Sequence, residues 1–320
     1  MRLVVDGEKL TGSLCVGVPA AGLLVLPLFA SGFHTTLVSE MLIMALFAMG
    51  FNLVLGQTGM VSFGHAAYFG VGAYTTGLLL KNGSLPLILA LPAAPIVSAV
   101  AGLGVGYLCV RLTRIYFAML TLAFSQIFWV ISFKWYSFTG GDDGLVGVPV
   151  AEALAAPAAF YYFAFAIAAA CVVVLWMILN SPFGHILRTI REGPERARAM
   201  GVDVRRYQLI AFVLSAFVSG LAGGLYTLLN RGAFPDFMFW TKSADVILMT
   251  LLGGMYSFIG PAVGAGVMVL LQSQVTVYWP EYWSMVLGVL LIFILLFFRG
   301  GIMGFVDNWA RVRVMKKATT

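Results

Sequence analysis

The sequence predicts an all-α polytopic membrane protein with about eight to ten transmembrane helices, some broken or re-entrant, in a single domain over residues 1–320. Three observations predict it. Of 320 residues, 61% are hydrophobic and only 10% charged, with mean hydropathy +0.97. A soluble domain carries about 25% charged residues, so most of the outer surface must face lipid. Apolar runs of roughly the 20 residues that cross a bilayer recur along the chain. The basic residues cluster in alternate connecting segments. With all runs crossing and the N-terminus inside, 15 of the 19 lysines and arginines fall on the inner side, a strong positive-inside bias.

The runs cover residues 14–33, 37–56, 59–80, 85–110, 114–135, 157–180, 207–230, 244–258, 259–279 and 282–299. Ahead of them, Met1–Leu10 carries four charges, and no small-residue cleavage site follows a short apolar stretch, so no cleaved signal peptide is predicted. Regions 59–80 and 244–279 are interrupted by glycines, and each reads either as a full span or as a broken or re-entrant helix, tolerated where neighbouring helices satisfy the backbone. Segment 136–156 holds Asp142, Asp143 and Glu152 with no base and is assigned outside. Segment 181–206 holds six arginines and is assigned inside, together with both termini. Within it, Pro194 suits the first turn of a short helix and Gly201 its end. Gly59-Met-Val-Ser-Phe63 recurs as Gly254-Met-Tyr-Ser-Phe258. An internal repeat and two similar glycine-rich packing segments both account for this echo.

Several chemistries have no apparatus. The sequence contains no phosphate-binding G-x-x-x-x-G-K-[ST], no H-E-x-x-H, no G-x-S-x-G and no C-x-x-C. Cys15, Cys109 and Cys171 sit in apolar runs and read as small packing residues. His34, His65 and His185 lack metal-ligand spacing. The net charge of +6 follows membrane topology and does not point to nucleic acid. Only the acids Glu40 and Asp245 fall within runs, each near a run's start, and Lys242 is assigned to an outer connecting segment. That pattern argues against a proton relay and for transport driven by another subunit.

Candidate pathway residues come from polar faces. At about 100° per residue, Ser62, His65, Phe69, Gly72 and Thr76 share one face, as do Thr121, Ser125 and Ser132. Asn52, Gln57 and Thr58 precede the first set. A translocation path lined by Asn52, Gln57, Ser62, His65, Gly72, Thr76, Thr121 and Ser125 is one reading. Interhelical packing is the other, with hydrogen bonds worth about 0.6 kcal/mol each.

Four separated blocks carry a resemblance. Asn52-Leu-Val-Leu-Gly-Gln-Thr-Gly-Met-Val-Ser-Phe-Gly-His-Ala-Ala-Tyr-Phe-Gly-Val-Gly-Ala-Tyr74, Thr139-Gly-Gly-Asp-Asp-Gly-Leu-Val-Gly-Val-Pro149, the run from Ser181 to Phe212, and Leu252-Gly-Gly-Met-Tyr-Ser-Phe-Ile-Gly-Pro-Ala-Val-Gly-Ala265 occur in order. Together they resemble the branched-chain amino acid permeases of ABC importers, LivM-type. Glu195-x-Ala197-x-x-x-Gly201 resembles the E-A-A-x-x-x-G coupling signature, with Arg196 in place of the middle alanine. The resemblance implies a multi-pass protein of the bacterial inner membrane with no ATPase site of its own. Its partners would be an H-type second permease, two cytoplasmic ATPase subunits that bind ATP and magnesium, and a periplasmic amino-acid-binding protein. Glu195, Arg196, Ala197 and Gly201 would couple it to the ATPases. Urea, amides and other amino acids remain alternative cargoes within that family. An ion-coupled secondary transporter and a membrane enzyme are the readings from other classes.

Overall fold

The computed structural model describes residues 31–278 except 84 and 113, and residues 280–282, 285–286, 288–289, 292 and 300–304. Residues 14–30 of run 14–33, most of run 282–299 and both termini lie outside the described residues. Ten α-helices of six residues or more organise the described residues. They are α1 (Gly32–Asn52), α2 (His65–Lys81), α3 (Leu87–Cys109), α4 (Arg114–Lys134), α5 (Pro157–Leu179), α6 (Pro182–Glu192), α7 (Pro194–Ala199), α8 (Val204–Asn230), α9 (Trp240–Gly253) and α10 (Gly260–Tyr278). A π-helical turn, Leu53–Gln57, extends α1. Among the described residues six helices are long and apolar enough to cross a membrane: Gly32–Gln57, Leu87–Cys109, Ile115–Lys134, Pro157–Leu179, Val204–Asn230 and Gly260–Val277. The chain is thus an all-α polytopic membrane protein. Its α2, with 17 residues, and α9, with 14, are shorter.

Helix α8 is the central post, packed by α1, α2 and α3. Small residues let these backbones meet. A Cβ added at Gly72 would collide with the Gly220 carbonyl, and one at Gly223 with the Phe69 carbonyl. Ser98 of α3 donates to the Tyr68 carbonyl at 2.9 Å. In a bilayer, where lipid is as apolar as leucine, such close contact rather than hydrophobic burial holds helices together.

The two ends of the bundle differ. At one, the tail of α1, the end of α3, α6, α7 and the start of α8 gather Arg111, Arg188, Arg191, Arg196, Arg198 and Arg205. At the other, Leu145–Val146 pairs with Gly232–Ala233 as a minimal antiparallel ladder, and Lys81 Nζ donates to the Val146 carbonyl at 2.8 Å. Segment 136–156 therefore lies at the end opposite segment 181–206. Its Thr139-Gly140-Gly141 corner needs glycine, because both glycines hold φ near +82° and +63° where a side chain is strained.

The interrupted regions break inside the bundle. His65, the first residue of α2, meets Ser215 near the middle of α8. The Ala66 N–H donates to Ser243 Oγ at 2.9 Å, so the first turn of α9 lies at the same depth. From that level α2 climbs to Lys81, while α9 descends to the arginine-rich end, where Tyr256 lies against Arg191. Gly59 and Gly254, which open the echoed segments, both have positive φ, and each is followed six residues later by a helix start.

Candidate functional site

The arginine-rich end is built from two proline-started helices. Gly193 precedes Pro194 at the start of α7, and Gly201 follows its end at φ +84°. That left-handed conformation favours glycine, as the sequence predicts. Ala197 is fully buried against Ile190 and Val204, which explains a small apolar residue there. Glu195, Arg196 and Arg198 are exposed, so arginine at the motif's middle position costs no packing. Glu195 and Arg198 form a 2.6 Å ion pair across the exposed face. Helix α6 is an element that the sequence reading does not predict. Its signals were Ser181-Pro182 and the spacing of Ile186, Leu187 and Ile190, a pattern of the same kind as Gly193-Pro194.

Helix α6 ties this surface to both breaks. Arg188 Nε donates to Gln57 Oε1 at 3.2 Å, and Arg191 donates to the Gly56 carbonyl at 2.6 Å. The Arg191 guanidinium also stacks 5.0 Å from the Tyr256 ring. One side chain thus touches the π-turn before Gly59 and the loop after Gly254.

The start of α2 is a closed hydrogen-bond network. Ser215 Oγ donates to the Gly50 carbonyl at 2.7 Å, so its oxygen accepts from His65 Nε2 at 2.8 Å. His65 Nδ1 then accepts the Ser62 hydroxyl at 3.0 Å, and Ser62 Oγ accepts the Gly64 N–H. Phe51, Phe212 and Tyr68 surround the imidazole edge-on. Thr121 Oγ1 accepts the Phe63 N–H at 3.2 Å, and Ser125 donates to the Met238 carbonyl at 3.0 Å. The structure therefore brings Ser62, His65, Thr121 and Ser125 together around the breaks. Gly72 and Thr76 lie farther along α2, in its contact with Gly220 and Gly224 of α8. Asn52 Oδ1 and Thr76 Oγ1 are buried without a hydrogen-bond partner. All eight predicted pathway residues are buried within this chain.

Lys242 lies on a helix and not in an outer connecting segment. Helix α9 begins at Trp240, four residues before the predicted run, so Lys242 and Asp245 share its first turns inside the bundle. Lys242 faces Tyr226 of α8, which is bonded to Glu40 of α1. Tyr226 Oη donates to Glu40 Oε1 at 3.2 Å, and Lys242 Nζ lies 5.3 Å from the Tyr226 ring. The sequence carried a signal in the acid three residues after the lysine. The apolar window hid it by starting too late. Among the described residues no group of three or more His, Cys, Asp or Glu side chains is placed to hold a metal ion.

Comparison with known proteins agrees with this architecture. LivM, the "high-affinity branched-chain amino acid transport system permease protein" of Salmonella typhimurium, is 26% identical over 271 residues, covering 76% of this chain and 64% of the relative; its Escherichia coli counterpart matches to the same extent. The chain therefore spans just under two thirds of the length of these relatives. LivH of Methanocaldococcus jannaschii, a "probable branched-chain amino acid transport permease protein", is 26% identical over 238 residues, covering 69% of this chain and 73% of the relative. The "guanosine ABC transporter permease protein" NupQ of Bacillus subtilis is 35% identical over 66 residues, about a fifth of each chain. No solved structure matches. The family described as "Branched-chain amino acid transport system / permease component" matches residues 34–295, and the chain belongs to that family.

Proposed function

We propose that this chain is a membrane-spanning permease subunit of a bacterial ABC importer for branched-chain amino acids. A second, H-type permease would complete the channel in the inner membrane. Two ATPase subunits, which hold ATP and magnesium, would dock on the exposed face of α7 through Glu195, Arg196 and the turn at Gly201, with Ala197 anchoring that helix. An extracytoplasmic binding protein would deliver cargo to the opposite end. The observation that carries the reading is Arg191, which links the docking face to both breaks in the bundle. Motion of α7 would be passed by α6 to the starts of the echoed segments, and the route past Asn52, Gln57, Ser62, His65, Gly72, Thr76, Thr121 and Ser125 would open and close with it. Rigid elements with two arrangements can carry such coupling.

The test is leucine uptake by the complex reconstituted in proteoliposomes. Wild type should take up leucine only with ATP inside reach of the ATPases. Glu195→Lys should abolish that uptake while insertion and melting stay unchanged, because its ion pair with Arg198 is solvent-exposed and of small worth. Unchanged uptake in E195K would remove the docking role. The charges of Glu40, Lys242 and Asp245 favour a second reading, an ion-coupled transporter. Uptake that follows an ion gradient without ATP would select it.

A further inference from the structure

Four groups in the half of the bundle away from the arginine-rich end are not used by the coupling scheme. Glu40 sits on α1, Tyr226 near the far end of α8, and Lys242 and Asp245 on the first turns of α9. All four are half-buried, and Asp236, Trp240 and Thr241, close to Lys242 in sequence, are exposed. Glu40, Asp245 and Tyr226 act electrostatically on Lys242. Yet among the described residues the only ion pair within 4.0 Å is Glu195–Arg198. The side chains of Lys242 and Asp245 make no hydrogen bond, and that of Glu40 accepts one, from Tyr226.

Charges held inside a membrane protein normally close on one another, since each unpaired ion costs several kcal/mol of desolvation. Here two carboxylates and an ammonium are held close but apart. Lys242 also stands in the first turn of α9, whose start has no side-chain cap. A cation is unfavourable at that positive end, and an anion is favoured there. The arrangement lacks one negative group beside Lys242 and the helix start, and one positive group beside the carboxylates.

We propose that this cluster is a recognition station for a zwitterionic amino acid. Lys242 and the start of α9 take the α-carboxylate, and Asp245 and Glu40 take the α-ammonium. Tyr226 positions Glu40. The station rests on the importer reading and narrows its cargo, because an uncharged solute such as urea or a nucleoside offers these charges nothing to bind.

Equilibrium binding to the assembled complex in lipid nanodiscs tests it, with the binding protein left out and no ATP. The probes are leucine, leucinamide (ammonium only), 4-methylpentanoate (carboxylate only) and urea. Wild type should prefer leucine over each of the others by at least about tenfold, the worth of one charge-assisted contact. Lys242→Gln should lose the preference over leucinamide, and Asp245→Asn the preference over 4-methylpentanoate. Should either single variant fail to accumulate, the double variant K242Q/D245N keeps the cluster's net charge and leaves no lone cation behind; it should fold and lose both preferences. Wild-type selectivity in these variants, equal weakening toward all probes, or tighter binding of urea than of leucine by wild type would each overturn the station. The importer reading fails separately, if wild type shows no ATP-driven uptake of leucine.

Discussion

Two helices begin inside this bundle at one depth, and their starts are built in opposite ways. The start of α2 is neutral and closed. His65, Ser62, Ser215 and the Gly50 carbonyl satisfy one another, and the Phe63 and Ala66 N–H groups end on Thr121 and Ser243. The start of α9 is charged, with the Lys242 and Asp245 side chains half-buried and in no ion pair or hydrogen bond. A buried polar network that is fully satisfied rigidifies and specifies the structure. Charges kept apart in the same surroundings stabilise nothing by themselves and mark a place where a ligand completes the set. The contrast separates architecture from recognition among residues that look equally polar in the sequence.

Substitutions can break or sharpen that contrast. The largest effect is expected at Gly72, where backbone meets backbone. Gly72→Leu should separate α2 from α8 at a cost on the order of 3 kcal/mol or more, seen as a much lower melting temperature in detergent. Wild-type melting would show that the α2–α8 seam is not a rigid contact. Next comes His65→Ala, which leaves the Ser62 hydroxyl without its acceptor, removes the donor to Ser215 Oγ and opens a cavity among Phe51, Tyr68 and Phe212. A loss of about 2–4 kcal/mol is expected, with His65→Gln recovering part of it. Equal melting of H65A and wild type would refute the closed network. The smallest is Tyr226→Phe at the charged start. It removes one hydrogen bond to Glu40 and should change stability by about 1 kcal/mol or less. A loss as large as that of H65A would mean that the charged cluster holds the fold together as well.

Much of this was legible in advance. The span-length runs at α1, α3, α4, α5, α8 and α10 follow from apolar length alone, and the short α7 from Gly193-Pro194 and Gly201. The discontinuities were visible as glycine-interrupted stretches near 59 and 254, without their depth. The polar face of α2 was also legible, but not its partner. Ser62 and His65 turn toward one another and Ser215, and Gly72 turns onto Gly220, because α8 packs along that face. Ser215 lies 150 positions from His65 in sequence, and no local pattern relates them. An apolar window misplaces Lys242 because it cannot see that a helix starts on polar residues ahead of its apolar stretch.

By itself the sequence determined the membrane environment, the arginine-rich end and the short helix α7 beside it, since hydropathy, charge and glycine or proline geometry act over a few neighbouring residues. Only the tertiary structure decided where the two interrupted helices begin, which polar groups satisfy each other and which charges stay apart. Those outcomes depend on backbones from distant parts of the chain meeting at one depth in the bundle, where an unbonded polar group has no water to turn to.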